Sequence, residues 1–475
     1  MTAVYQPKLP LRDYQARELA RMRGKHAWGL LMYMRTGKSC VALADFGQLE
    51  LDGLADDFLL VAPAGVYLTW RGEMEKHLSD DLRGRLRVGT WVSGKGVEPG
   101  FLRDHSRPRA LLVNVEALST ATGAREACAV FAEGRRVVTA VDESTAIKGH
   151  GTKRTKFVVQ KLAPRSAYRR ILSGLPDPRS PLDYFSQFYF LDPRILGHDR
   201  YESFFEEFAV YEKRLFAGRR WPTKVVTGYK NEDLLRERIA PWSSRVAFRP
   251  DIPPSWTLRH VPLTDEQRRA YAEMRQYATT KLGDGHVTAT IVLTQMMRLH
   301  QILCGHVTDD DGQVRELPEL KTAQLLELLE DYSGKAVVWV TYDADVRKVA
   351  ARLAAEYGPD SVARFWGGNA STREAEEARF KGDPACRFMV ATASAGGRGR
   401  TWDAADLVVY YSSSYDLEHR EQSEQRVQAV GKARQVDYVD LVAPGTVEEK
   451  ILHALRAKID LSTAVSGGDW RQWVV

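Results

Sequence analysis

Cysteine is scarce: Cys40, Cys128, Cys304 and Cys386 are the only four in 475 residues. They lie far apart, and no two have the spacing of a zinc-binding pair. This excludes a disulfide framework and a zinc module of the usual spacing. Each cysteine is expected as a small buried apolar residue in a reducing compartment. Apolar runs are also short, and none approaches the ~20 residues that cross a bilayer. The Met-Thr-Ala-Val start has neither the basic nor the apolar segment of a signal peptide, so a cytoplasmic chain with no membrane partner is expected. No internal repeat is visible. Nor is there a large excess of one charge: 68 Lys+Arg against 62 Asp+Glu leave +6, which permits nucleic-acid binding without demonstrating it.

What is present is alternation. Strand-like runs at Trp28–Met32, Phe58–Ala62, Ala110–Val115, Val137–Val141 and Arg170–Ser173 are separated by helical patterns such as Ser39–Leu49 and Leu68–Leu78. A second such block follows the helical stretch 264–301, with strands predicted at Ala336–Thr341, Val362–Phe365, Phe388–Ala391, Leu407–Tyr411 and Tyr438–Val442. The reading is an α/β protein of two parallel sheets flanked by helices. Residues 1–250 form the first domain, with a helical and hairpin insertion at 194–250, and residues 251–475 form the second. Pro250-Asp251-Ile252-Pro253-Pro254 marks the boundary, and a basic hairpin is expected at 217–230.

Two short motifs carry chemistry. Gly37-Lys38-Ser39 follows the first apolar run and has the make-up of a phosphate-binding loop, although the glycine expected five positions earlier is Met32. Backbone N–H groups and Lys38 would cradle the β/γ-phosphates, and Ser39 would reach a magnesium ion. Asp142-Glu143-Ser144-Thr145 ends the run Val137–Val141. It offers Asp142 to the same magnesium and Glu143 to orient an attacking water. A cation such as Lys38 is disfavoured at a helix start unless an anion joins it there. Gly396, Gly397 and Gly399 would let a backbone approach phosphates closely, with Arg398 and Arg400 adding charge. Trp70, Trp339, Trp366 and Trp402 are read as core residues. Lys335 is read as opening a strand, and Asp309-Asp310-Asp311-Gly312 as a turn rather than a calcium loop.

Taken in order, these segments resemble the superfamily 2 helicases, in particular the Swi/Snf-type double-stranded DNA translocases, and the match is closest to short versions carried by bacterial viruses. Leu11-Arg12-Asp13-Tyr14-Gln15 looks like the opening motif, and Met34-Arg35-Thr36-Gly37-Lys38-Ser39 looks like motif I. Val61-Ala62-Pro63 with Trp70 and Glu73 is similar to motif Ia, and Asn114-Val115-Glu116 sits where motif Ib is expected. Asp142–Thr145 with Lys148 looks like motif II, and Ser173-Gly174-Leu175-Pro176 like motif III. In the second block Val337–Thr341 is similar to motif IV, Ala395–Thr401 to motif V, and Glu421-Gln422, Glu424 and Arg426 to motif VI. Gly445–Ile451 matches the segment usually found beyond it.

The resemblance implies two RecA-like domains with ATP between them and DNA across their joint face. Arg12, Gln15, Arg35, Thr36, Gly37, Lys38, Ser39 and Gly399 would then bind ATP, with the amide of Gln15 recognising adenine. Ser39 and Asp142 would hold Mg2+, and Lys38, Asp142, Glu143 and Arg426 would serve catalysis. Lys148, Arg398, Arg400 and Thr401 would meet duplex or branched DNA. The resemblance also implies a monomer working in the cytoplasm of a bacterium or a phage-infected host.

Two positions depart from the pattern. Leu175 replaces the usual threonine of motif III. Ala429 stands where related proteins have an arginine finger, which supplies charge to the γ-phosphate; Gln428 and Lys432 replace the usual histidine and glutamine nearby. Arg426, Lys432 or Arg434 would have to substitute, or hydrolysis is slow. The main expectation is thus an ATP-dependent DNA translocase or helicase, with hydrolysis impaired if no substitute exists. The alternative is an ATP- and DNA-binding clamp with little turnover. A P-loop kinase is a third reading, disfavoured by the second block.

Overall fold

The computed structural model describes residues 3–64, 66–174, 180–215, 221–247, 250–283, 289–308, 313–396, 400–429 and 432–457. Several sequence expectations therefore lie outside the described residues: Leu175 and Pro176 of motif III, Gly397, Arg398 and Gly399 of motif V, and the turn 309–312. The chain divides into two compact units, Met1–Arg214 with Thr223–Phe248, and Leu215–Pro222 with Arg249–Val475.

The first unit is built on strands β1 (Ala27–Met32), β2 (Asp57–Ala62), β3 (Arg87–Thr90), β4 (Arg109–Asn114), β5 (Val137–Val141) and β6 (Tyr168–Ser173). A separate hairpin, β7 (Ala209–Arg214) with β8 (Thr223–Tyr229), precedes β9 (Ser243–Val246). The sheet order is β3-β4-β2-β5-β6-β1-β9, and every pairing is parallel. β1, β2 and β5 are buried along their whole length, as expected of a parallel sheet covered on both faces. The hairpin begins earlier than predicted, and the two edge strands of the seven-stranded sheet, β3 and β9, were not predicted at all.

Parallel register puts the carboxyl ends of β5, β6 and β1 side by side. Leu31 pairs with Ser173, and Val141 with Ile171. Helix α1 (Asp13–Met22) precedes β1, and α2 (Lys38–Leu51) follows it after a short loop. A buried ion pair fastens α2 to the sheet: Arg170 Nε of β6 lies 2.9 Å from Asp45 Oδ2, with 1% and 5% of the side chains exposed.

The second unit contains β10 (Ser255–His260), a short hairpin of β11 (His306–Thr308) and β12 (Val314–Glu316), then β13 (Lys335–Val340), β14 (Val362–Phe365), β15 (Phe388–Thr392), β16 (Ala405–Tyr410) and β17 (Asp437–Val442). Its main sheet runs β10-β17-β16-β13-β15-β14, again wholly parallel. The helical stretch 264–301 forms two helices, Asp265–Gly283 and Ala289–Leu303. Lys335 opens β13 as read from sequence, and its ammonium donates to the carbonyls of Asp383 (2.6 Å) and Cys386 (2.9 Å). All four cysteines are buried and unpaired to one another. Among the described residues no helix is long and apolar enough to cross a membrane.

A buried charge cluster holds the helix Val447–Arg456 to this unit. Glu448 pairs with the ammonium of Lys321, which also donates to Tyr411 O at 3.1 Å, and accepts from the backbone N–H of Ala443 at 2.9 Å. Burial alone would raise the Glu448 carboxyl; Lys321 and His300 reverse that and hold it at about 2. The folded value thus lies below the ordinary glutamate value of ~4.3. Stability from the pair is complete above that value and is lost as pH falls toward the folded one. Glu448→Gln should cost the second unit about 3–5 kcal/mol at neutral pH by leaving Lys321 buried without its counter-charge. Urea melts of the two proteins should converge as the pH is lowered toward 2; a constant gap would refute the assignment.

Candidate nucleotide site

The loop between β1 and α2 has two residues in left-handed backbone, Arg35 (φ 64) and Gly37 (φ 82). Gly37 is required twice over. A side chain is strained at that φ, and a Cβ there would lie 2.2 Å from Gln15 Nε2. Gln15, 7% exposed, donates to Thr36 O at 3.0 Å and accepts the Arg12 N–H at 3.0 Å. Tyr14 OH donates to the same Thr36 carbonyl at 3.0 Å. Thus Arg12, Gln15 and the loop form one assembly. The Gln15 amide keeps one N–H and one lone pair beyond these two bonds. Arg12 itself points to solvent at the start of α1.

Lys38 and Ser39 open α2, both half-buried. The Lys38 ammonium bends back over the loop and donates to Met32 O (3.1 Å) and Tyr33 O (3.4 Å). Gly174, just past β6, also closes on this loop: a Cβ there would come 2.5 Å from Met34 Cγ and 3.5 Å from Lys38 Nζ. The third strand end, β5, delivers Asp142 and Glu143. Glu143 has positive φ (45°), as do, among the described non-glycine residues, Arg35 and Asn231. Such backbone is costly for an ordinary side chain and clusters at functional sites.

Asp142 is 6% exposed, and its Oδ1 accepts the N–H of Glu143 at 2.9 Å. Its Oδ2 accepts Trp70 Nε1–H at 2.9 Å. Burial raises the Asp142 carboxyl above its ordinary value, although Lys38 and the indole pull the other way. A buried carboxylate left in that state fits a divalent cation, and the oxygen donors of Asp142 and Ser39 suit Mg2+. Sequence reading had placed Trp70 in the core; the structure gives it a polar task as well. Only its place in a motif Ia-like segment hinted at this.

Other expected residues are spread more widely. Lys148, exposed, lies 3.3 Å from Asp183 Oδ2. In the second unit Arg400 pairs with Glu377 at 2.9 Å, and Thr401 is exposed. Arg426, 4% exposed, donates to Arg400 O at 2.6 Å. Its segment follows the helix Leu417–Glu424, in which Arg420 makes a two-pronged bond to Asp440 at 2.6 and 3.0 Å. Lys432 lies 3.0 Å from Asp406 Oδ1 and donates to Asp403 O at 2.9 Å, and Arg434 lies 3.2 Å from Asp406 Oδ2.

Residues 15–307, more than half of the chain, match the SNF2-related domain. The chain belongs to the SNF2-related family. Residues 320–435 match the helicase conserved C-terminal domain, so both modules of a superfamily 2, Swi/Snf-type core are present in order. Among relatives, the mouse SWI/SNF-related matrix-associated actin-dependent regulator of chromatin subfamily A member 1 is 22% identical over 497 residues, covering 96% of this chain and 43% of that protein. Human DNA excision repair protein ERCC-6 is 26% identical over 325 residues, covering 61% of this chain and 21% of that protein. The chain spans less than half the length of these curated relatives. Among solved structures, the Sulfolobus solfataricus SWI2/SNF2 ATPase core in complex with dsDNA covers 98% of this chain and 95% of its own at 21% identity, with a TM-score of 0.43.

Proposed function

We propose that this SNF2-related chain is a DNA-dependent ATPase that couples hydrolysis to movement along, or remodelling of, duplex or branched DNA. The observation that carries the reading is the convergence of three strand ends: β1 with Lys38 and Ser39, β5 with Asp142 and Glu143, and β6 with Gly174. Open parallel sheets bind their ligands at the carboxyl ends of strands. Here those ends present a lysine, a helix start and a buried carboxylate, a set suited to a magnesium-bound triphosphate.

In this reading Lys38 leaves the carbonyls of Met32 and Tyr33 for the β/γ-phosphates. The backbone of Arg35, Thr36 and Gly37 wraps them, Ser39 and Asp142 hold Mg2+, and Glu143 orients the attacking water. The remaining hydrogen-bonding capacity of Gln15, with Arg12 beside it, is assigned to the base. Gly399 is assigned to ATP, and Lys148, Arg398, Arg400 and Thr401 to DNA. Bound Mg2+ would supply Lewis-acid charge neutralisation at the phosphates. Steady-state ATP hydrolysis with and without duplex DNA is the test. A DNA-stimulated rate is expected, whereas hydrolysis indifferent to DNA would overturn the proposal in favour of a small-molecule enzyme.

One observation favours a slow version of this activity. Arg426, Lys432 and Arg434 are the basic residues near Ala429 that could replace a missing finger. Each is engaged within its own unit, by Arg400 O, by Asp406 with Asp403 O, and by Asp406 respectively. The expected behaviour is therefore weak but DNA-stimulated turnover.

A further inference from the structure

We propose that Trp70 is a positioning residue for the magnesium-binding carboxylate, a role that rests on the ATPase reading above. Trp70 lies in the helix Thr69–His77 and is 1% exposed. Its ring stacks on Phe58 of β2 (centroids 5.9 Å apart, planes at 30°), and Phe58 in turn packs on Phe46 of α2 at 5.3 Å. The indole plane is thereby fixed by a strand and by the helix that carries Lys38 and Ser39. From that plane Nε1–H reaches Asp142 Oδ2 at 2.9 Å, while the Glu143 N–H holds Oδ1 at 2.9 Å.

Two donors from separate elements therefore clamp the two oxygens and set the orientation of the carboxylate. Each oxygen keeps a lone pair for the metal or its water shell. A simple core role does not account for this bond. Trp339 and Trp402 are equally buried in the second unit, stack on each other at 5.2 Å, and leave their Nε1 atoms without a hydrogen-bond partner. Trp28, 2% exposed, donates to Ser244 Oγ at 2.9 Å, so a buried indole in this protein is met with either a partner or none, and the partner that Trp70 meets is the carboxylate assigned to the metal.

Losing a group that orients a metal ligand typically costs 10–100-fold in metal affinity. Trp70→Phe keeps most of the ring and deletes the donor. Binding of a fluorescent ADP analogue, titrated with Mg2+, should show a Mg2+ requirement raised by about tenfold or more. Binding of the same analogue in EDTA should stay as in the unaltered protein, which a general packing defect would not allow. Trp339→Phe serves as a control that removes a buried indole without touching Asp142, and it should keep the original Mg2+ dependence. A second measurement needs no altered protein to fold beyond the assignment: the Trp70 indole 15N–1H resonance should shift when Mg2+·ADP is added. An unchanged Mg2+ requirement in Trp70→Phe, or an unmoved resonance, overturns the inference alone. If the unaltered protein shows no Mg2+-dependent nucleotide binding, the ATPase reading falls and takes this inference with it.

Discussion

Glu143→Gln should bind ATP and DNA like the unaltered protein while losing about 10²–10⁴-fold in DNA-stimulated turnover, the usual contribution of a positioned general base. The substitution preserves size and the backbone N–H that donates to Asp142 Oδ1. It also keeps the left-handed backbone at this position, which is set by the turn after β5. Only the charge assigned above to orienting water is lost. Nucleotide affinity by fluorescence titration and turnover by phosphate release separate the two effects. A parallel fall in affinity would mean that Glu143 holds the nucleotide rather than the water. Unchanged turnover would remove it from the chemistry.

Ala429→Arg should act in the opposite direction and raise DNA-stimulated kcat by about 10³-fold or more, the range over which arginine fingers act. The case rests on what surrounds position 429. Arg426 is nearly fully buried and tied to the motif V backbone, and Lys432 and Arg434 share Asp406. Ala429 itself is half-buried, and its carbonyl accepts the Lys432 N–H at 3.3 Å, so a longer side chain can be added without breaking a side-chain bond of its own. Rapid hydrolysis by the unaltered chain, with no gain on substitution, would show that another cation already performs the task. Silence in both proteins, with ATP still bound, would favour a DNA clamp.

The parts legible in sequence were those that are local or deeply buried. Lys38, Ser39, Asp142 and Glu143 sit at the ends of uniformly apolar runs. Those runs are β1 and β5, which are buried on both faces and so read as unbroken hydrophobic stretches. The strands that escaped are β3 (Arg87–Thr90), β9 (Ser243–Val246), β10 (Ser255–His260) and the hairpin pair β11 and β12. All are mixed in polarity; β3, β9 and β10 lie at sheet edges, where side chains need not be apolar, and β11 and β12 have only three residues each. The Trp70–Asp142 bond escaped for a different reason. It joins residues brought together by the packing of a helix over β2, and no local pattern records which way a buried indole will face.

The proline-rich stretch Pro250–Pro254 lies between β9, hydrogen-bonded to β1, and β10, hydrogen-bonded to β17. β9 runs parallel to β1, so the connecting chain departs from the same end of the sheet at which the phosphate loop begins. The ladder that ties β9 to β1 is short, from Gly29–Ser243 to Met32–Val246. The last rung of that ladder, Met32, also offers its carbonyl to Lys38.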